Sequence, residues 1–139
     1  MKKLVSIVIF SLMVLVPAMA IGGTLTGTVQ GFNCVTQGKV CPVGSEDPMV
    51  AAERTFVLHI EGTNYYFVPN LDRAIMARHI GEMVKVEGKK SEEFKSINAE
   101  DLYVKKGGSW QKVWSQNRQD EIYDDILGKN IFGLDEGAQ

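Results

Sequence analysis

The sequence predicts a small, mainly β protein: five strands with one helix between strands 3 and 4, followed by an extra strand and a short helix. Three observations lead to this prediction. Apolar and polar residues alternate over several short segments, as in half-buried strands. A single segment between the third and fourth of them has helical spacing instead. The first strand carries two glycines, Gly27 and Gly31, as strands do where a small barrel bulges or coils sharply.

Length and composition favour one small domain. The chain has 139 residues, of which 45% are hydrophobic and 23% charged, values typical of globular proteins. Its formal net charge of −2 argues against nucleic-acid binding as the main function, because such proteins usually carry a basic excess.

The first twenty residues have the pattern of a cleaved export signal. Lys2 and Lys3 precede an apolar run from Leu4 to Val16, and Pro17-Ala-Met-Ala20 ends in the small residues that a signal peptidase recognises. The run is shorter than the ~20 residues that span a bilayer. We therefore expect a signal peptide over 1–20 and an exported chain, periplasmic or secreted, with no membrane span after its removal.

Six residues separate Cys34 from Cys41, in a stretch rich in glycine, proline and asparagine. In an oxidising compartment an even number of cysteines favours a disulfide, so a Cys34–Cys41 bond is expected. Reactive or metal-ligating thiols are the alternative. The spacing is neither the C-x-x-C of thiol oxidoreductases nor the C-x-x-C-H of haem attachment.

The first half of the chain contains three predicted strands. Strand 1 covers 24–32 and turns Leu25 and Val29 inward, and a long loop follows over 33–52. Strand 2 covers 54–61 and strand 3 covers 65–68, joined by a hairpin turn. On strand 2, alternation places Phe56, Leu58 and Ile60 in the core and Val57, His59 and Glu61 outside. On strand 3, Tyr65/Phe67 and Tyr66/Val68 are both plausible inward pairs. We favour Phe67 inward, which leaves Tyr66 exposed.

A helix is predicted next, over 71–80, with Asn70 as its N-cap and Gly81 as its stop. Three further strands follow over 82–88, 100–105 and 109–114. The inward positions are Val84, Val86, Leu102 and Val104. Trp110 and Trp114 are four residues apart, so a regular strand would place both on one face, where they would cover an open edge of the barrel.

This β-β-β-α-β-β order, with glycines in the first strand, resembles the OB-fold over Gly23 to about Lys105. The resemblance implies a five-stranded Greek-key barrel. Small exported bacterial proteins of that fold are the most similar class. The resemblance implies a ligand surface on strands 2 and 3, flanked by the loops after strands 1 and 4. Carried onto this chain, with 88–98 taken as the second loop, it names these candidate ligand-binding residues: Val57, His59, Tyr66, Lys89 and Lys95.

Charge separates the body from the tail. Residues 21–115 contain 11 basic and 11 acidic residues, whereas 116–139 contain two basic and six acidic ones. We therefore divide the mature chain into a barrel domain over 21–115 and an acidic tail over 116–139. Helical spacing within the tail relates four apolar side chains: Ile122, Tyr123, Ile126 and Leu127. This short helix either docks on the barrel or binds a partner.

The sequence lacks G-x-S-x-G, H-E-x-x-H and phosphate-loop motifs, so we expect no enzyme, no cofactor and no resident metal. The prediction is a binding or accessory module that meets an envelope protein, a glycan or a small ligand. The alternative is a redox or metal-handling protein that uses Cys34 and Cys41, with His59 and His79 completing a set of zinc or copper ligand types.

Overall fold

The computed structural model describes residues 22–42 and 48–130. The predicted signal segment and the end of the acidic tail lie outside the described residues. The strands are β1 (Gly22–Gly31), β2 (Phe56–Glu61), β3 (Asn64–Phe67), β4 (Met83–Ser91), β5 (Ser96–Lys106) and β6 (Ser109–Ser115). The helices are α1 (Phe32–Thr36), α2 (Pro48–Ala52), α3 (Arg73–Ala77) and α4 (Gln116–Asn130).

The six strands form one sheet in the order β3-β2-β1-β4-β5-β6, and consecutive neighbours in this order are antiparallel. A parallel contact between Phe67 of β3 and Ser96 of β5 joins strands that the sheet order separates. This contact closes β1 to β5 into a ring and leaves β6 outside it. The predicted mainly β, barrel-like architecture is confirmed at this level.

The ring surrounds one apolar core, to which β1, β2, β4, β5, α3 and the segment between β3 and α3 contribute. The inward assignments of Val29, Phe56 and Leu58 are confirmed, as are those of the four residues named in strands 4 and 5. The buried core consists of Val29, Phe56, Leu58, Val68, Leu71, Met76, Val84, Val86, Ile97, Ala99, Leu102 and Val104. Leu25 and Ile60 pack against it while remaining partly exposed.

Gly27 allows β1 to pass close to β2. A Cβ atom on Gly27 would lie 2.3 Å from the carbonyl oxygen of His59, well inside van der Waals contact. β1 pairs with β4 up to Thr28 and with β2 from Thr28 onward, in unbroken register. Gly27 therefore provides the space that β1 needs where its pairing changes from β4 to β2. The described pairing of β1 contains no bulge.

The predicted helix over 71–80 is shorter than expected, because α3 covers only Arg73–Ala77. Its N-cap is Asp72, whose Oδ1 accepts a hydrogen bond of 2.6 Å from the amide of Ala74. Asn70 is not the cap: its side chain bonds the backbone N–H and C=O of Ala99 in β5, at 2.8 and 2.7 Å. Asparagine and aspartate are both favourable N-cap residues. The contact of Asn70 with β5 leaves Asp72 as the cap, and the local sequence does not reveal that contact.

Strands 4 and 5 are longer than predicted. Residues 88–98 were expected to form a loop, but cross-strand pairs continue from Gly88↔Ala99 to Ser91↔Ser96. Only four residues, 92–95, make the turn. Most residues of this hairpin are polar, which conceals its strands in the sequence, although Ile97 within it is buried in the core. The predicted loop 33–52 likewise contains α1 and α2.

The two tryptophans of β6 lie on opposite faces, which contradicts the prediction that they share one. A register shift separates the pair Leu102↔Trp114 from the pair Tyr103↔Lys112. One extra residue in β6 therefore reverses the alternation between them. Trp114 packs against the core, whereas Trp110 lies outside near Lys85 and Lys105.

The helix predicted in the tail is present as α4, which begins where β6 ends. Gln119 of this helix accepts a hydrogen bond of 2.6 Å from the indole N–H of Trp114. Its apolar side chains Ile122, Tyr123, Ile126 and Leu127 are 50–56% exposed, so they do not dock on the barrel. Within 22–42 and 48–130, no helix has the length and apolar character needed to cross a bilayer.

Candidate functional site

Three aromatic rings meet on the outer side of β2 and β3. Phe32 begins α1, and Tyr65 and Phe67 alternate along β3. Their ring centroids lie 5.4 Å apart for Phe32–Tyr65 and 5.5 Å apart for the other two pairs. Each ring is partly exposed. We call Phe32, Tyr65 and Phe67 the aromatic surface.

The orientation of β3 is the reverse of the prediction. Tyr66 lies opposite Leu58 of the core and is only 5% exposed, whereas Phe67 belongs to the aromatic surface. Both pairs of residues on this strand are aromatic or apolar, so alternation alone does not orient it. The prediction that Tyr66 is exposed is therefore wrong.

Val57 faces away from the core, as predicted, but it has no exposed area. It lies in the sheet between Gln30 of β1 and Phe67 of β3. Gln30 is itself 2% exposed and accepts a hydrogen bond of 2.7 Å from the amide of Cys41. Val57 therefore supports the aromatic surface from below and cannot contact a ligand in this conformation.

His59 lies beside the aromatic surface, opposite Tyr65. Its Nε2 is 2.7 Å from the carbonyl oxygen of Gly62 in the β2–β3 turn. An Nε2–H group would donate there and leave Nδ1 as an acceptor. The histidine therefore fixes the turn at one end of the surface.

Lys95 and Tyr66 are brought together in a cluster around Glu92. Tyr66 donates its hydroxyl to Glu92 at 2.7 Å, and the ammonium groups of Lys90 and Lys95 lie 4.9 and 5.1 Å from the tyrosine ring. Lys90 forms an ion pair with Glu92, and Lys95 Nζ is 3.5 Å from it. The hydrogen bond from Lys90, followed by that from Tyr66, lowers the pKa of Glu92 to about 2.

This cluster lies at the tip of the β4–β5 hairpin, which the amide of Phe67 attaches to β3 by a hydrogen bond to the carbonyl of Lys95, 2.8 Å long. Lys89, the remaining predicted ligand residue, is exposed on β4 opposite Asn98. It is not part of the Glu92 cluster. The structure thus joins Tyr66 to Lys95 and leaves Lys89 apart from them.

The two cysteines are adjacent at the side of the aromatic surface. Cys34 lies on α1, two residues after Phe32, and its Sγ is 3.0 Å from the Sγ of Cys41. A disulfide bond is about 2.05 Å long, so the sulfurs are close but not bonded here. The amide of Gly31 donates to the Cys41 sulfur at 3.1 Å.

Glu53 holds this segment against the barrel. Glu53 is 5% exposed, and its carboxylate accepts three hydrogen bonds, from the amide and side chain of Asn33 and from the amide of Thr55, at 3.0–3.3 Å. A cleft of about 270 Å³ lies here, with Cys34, Val40 and Glu53 among its lining residues. The sequence offered no signal for the burial of this carboxylate.

Within the described parts of the chain, no group of three or more His, Cys, Asp and Glu side chains could hold a metal ion. Cys34, Cys41, His59 and His79 therefore do not assemble into the zinc or copper site considered from their types. His79 instead places Nδ1 2.6 Å from a carboxylate oxygen of Glu82.

Phe32 is the site residue that sequence reasoning missed. It was expected to end strand 1, but the chain turns into α1 at this position. The only available signal was its aromatic character next to Gly31. Comparisons with protein-family models, with curated proteins and with solved structures found no significant match to this chain.

Proposed function

We propose that this protein is a non-catalytic binding module of the cell envelope, exported as a periplasmic or secreted protein. It presents the aromatic surface, with the cysteine segment at its side, to an envelope protein, a glycan or a small ligand. The observation that carries the proposal is the contiguous, partly exposed trio of Phe32, Tyr65 and Phe67 on the outer face of the sheet. Aromatic side chains supply large contact areas and are enriched where proteins meet ligands and partners.

The proposed class for the barrel is the OB-fold. The ring β1–β2–β3–β5–β4, closed by the Phe67–Ser96 contact, supports it. The position of α3 between β3 and β4 supports it as well. OB-folds bind ligands across the face of strands 2 and 3, which is where the aromatic surface lies. The proposed ligand surface therefore agrees with the proposed fold, although its residues differ from those expected from the sequence.

The cysteine pair is proposed to form a disulfide after export. Each thiol would lose its proton and one electron to an external disulfide, which is reduced to two thiols as the Cys34–Cys41 bond forms. The bond would tie α1, and with it Phe32, to the buried Cys41. Oxidation of the two cysteines would then affect ligand binding only by fixing the position of Phe32.

A redox function for the same pair is the second candidate, supported by the 3.0 Å sulfur separation and by the Gly31 amide at the Cys41 sulfur. Equilibration with glutathione buffers, followed by alkylation and mass measurement, distinguishes the two. A structural bond stays oxidised at cytosolic ratios of reduced to oxidised glutathione, whereas a redox-active pair is reduced.

The experiment that tests the binding function places a photoreactive benzophenone amino acid at position 65 of the full chain in living cells. Phe94, which is 70% exposed at the tip of the β4–β5 hairpin, provides the matched control position. We expect a discrete crosslinked species from position 65 that is absent from position 94. Equal crosslinking at both positions, or none at position 65 in folded protein, would overturn the proposal.

A further inference from the structure

A second cleft opens beside the aromatic surface, between the start of β2, the end of β3 and α3. Its volume is about 300 Å³, at the lower end of the range for small-molecule pockets. Phe67 belongs both to this cleft and to the aromatic surface. The cleft therefore extends the proposed ligand surface around the end of β3.

The floor of the cleft is apolar. Phe56, Leu71 and Met76 line it, and all three are buried members of the core cluster. Their side chains are fixed by core packing, so the cleft does not require a rearrangement of the barrel to exist. An apolar group of a ligand that lies there is removed from water, which favours its binding.

The rim carries two arginines, Arg54 and Arg73, and no Asp or Glu is among the described residues that line the cleft. Arg73 is held in place by donating to the carbonyl oxygens of Glu53, at 2.8 Å, and Ala51, at 3.1 Å. Its guanidinium also lies 5.3 Å from the ring centroid of Phe56. Both acceptors are uncharged, so they orient the guanidinium without neutralising it.

Arg54 is exposed and has no ion pair with any residue of 22–42 or 48–130. The only acidic residue adjacent in sequence to Arg73 on α3 is Asp72, whose Oδ1 is used by the amide of Ala74. By contrast, the ammonium groups of Lys85, Lys90 and Lys112 all pair with carboxylates. Within the described residues, neither Arg54 nor Arg73 forms an ion pair, so each guanidinium group can accept a carboxylate partner.

We propose that this cleft binds a small organic carboxylate with an apolar body. The proposal rests on the proposed binding function and names the class of ligand. The apolar body lies on Phe67, Leu71 and Met76, and the carboxylate pairs with the guanidinium groups of Arg54 and Arg73. Arginine suits this role because its planar donors match the two oxygens of a carboxylate. Because Arg73 is already oriented, less conformational freedom is lost on binding.

The test titrates the full folded chain with 3-phenylpropanoate and, in parallel, with the uncharged 3-phenylpropanamide of nearly the same shape. Binding is followed by two-dimensional amide NMR. We expect saturable shifts around the cleft with a Kd of about 1 mM or lower for the acid. The amide is expected to bind about tenfold more weakly, because it lacks the charge that the arginines recognise.

Arg54→Gln should weaken binding of the acid about tenfold and leave binding of the amide unchanged. Arg78→Gln is the matched control, because Arg78 is an exposed arginine that follows α3 and does not line the cleft. Arg73→Gln disturbs the segment held by its backbone contacts, so Arg73→Lys, checked for folding by circular dichroism, is the second variant. The lysine keeps the positive charge but lacks the planar donor arrangement with which arginine binds both oxygens of a carboxylate.

The cleft proposal would be overturned if the acid produced no saturable shifts, or if acid and amide bound with equal affinity. It would also be overturned if Arg54→Gln left the shifts caused by the acid unaltered. Crosslinking at position 65 distinguishes this failure from a failure of the binding function. If position 65 still crosslinks while the acid does not bind, only the assignment of the ligand class falls.

Discussion

The carboxylate of Glu53 accepts hydrogen bonds from both the backbone amide and the side-chain amide of Asn33, at 3.0 and 3.2 Å. This pair joins the short connection between α2 and β2 to α1, across the segment that carries both cysteines. It thereby fixes the helix on which Phe32 and Cys34 are placed. The aromatic surface depends on this buried carboxylate.

Glu53→Ala should therefore destabilise the protein by about 1–2 kcal/mol, because it removes the acceptor of three part-buried hydrogen bonds from Asn33 and Thr55. Urea unfolding monitored by circular dichroism measures the loss. Glu93→Ala is the control, since Glu93 is exposed and makes no ion pair with the described residues. Equal midpoints for the two variants would show that Glu53 does not hold the segment.

The Glu92 cluster predicts a specific acid titration. The folded-state pKa of about 2 lies below the ordinary value of 4.5, so the stability that Glu92 contributes is present above pH 4.5. It is lost as the pH falls from about 4.5 towards 2. NMR titration of the Glu92 carboxyl carbon should give a midpoint near the lower value.

Two variants separate the contributions of Lys90 and Tyr66 to the lowered pKa of Glu92. Lys90→Gln should raise the midpoint of Glu92 more than Tyr66→Phe does, because the hydrogen bond from Lys90 is the larger cause and that from Tyr66 the second. A wild-type midpoint near 4.5 would mean that the hairpin tip is not held against Tyr66 in solution.

Gly27→Ala should destabilise the barrel by about 2 kcal/mol or more, because the new methyl group would collide with the backbone carbonyl of His59. Neither backbone can move without breaking the crossing of β1 between β4 and β2. Gly22→Ala is the matched change in the same strand, with no atom within 4 Å of the added Cβ. Its effect should stay within about 0.5 kcal/mol, and similar thermal midpoints for both variants would contradict the close approach.

The bulge in β6 predicts unequal roles for its two tryptophans. Trp114→Ala should cost about 2 kcal/mol, because Trp114 packs on the core and donates to Gln119. Trp110→Ala should cost less than about 1 kcal/mol, since that ring lies on the outer face and is 37% exposed. Chemical denaturation of both variants tests the register, and equal costs would favour the regular strand expected from the sequence.

The sequence predicted most of the strands because their core positions alternate cleanly, as in Val84, Val86, Leu102 and Val104. It could not orient β3, because Tyr65, Tyr66, Phe67 and Val68 are all suited to a core. The facing residue Leu58 decides that orientation, and cross-strand register is a property of the tertiary structure.

The errors in the candidate site have the same origin. Val57 was placed correctly on the outer face, but its burial depends on neighbours contributed by β1 and β3. Lys95 reaches Tyr66 only because the β4–β5 hairpin bends back to hydrogen-bond with Phe67. Phe32 was missed because the turn into α1 follows from contacts of Glu53, twenty residues away from Asn33. Local pattern carries none of these three relationships.

Hydroxyl-radical footprinting of the full chain, alone and with an envelope fraction, tests the aromatic surface most directly. With reactivity normalised to the exposed ring of Phe94, we predict that Tyr65 and Phe67 are oxidised in the isolated protein and Tyr66 is protected. The envelope fraction should then reduce the oxidation of Tyr65 and Phe67 relative to Phe94. Faster oxidation of Tyr66 than of Tyr65, or unchanged ratios with the envelope fraction, would contradict an outward aromatic surface that binds a ligand.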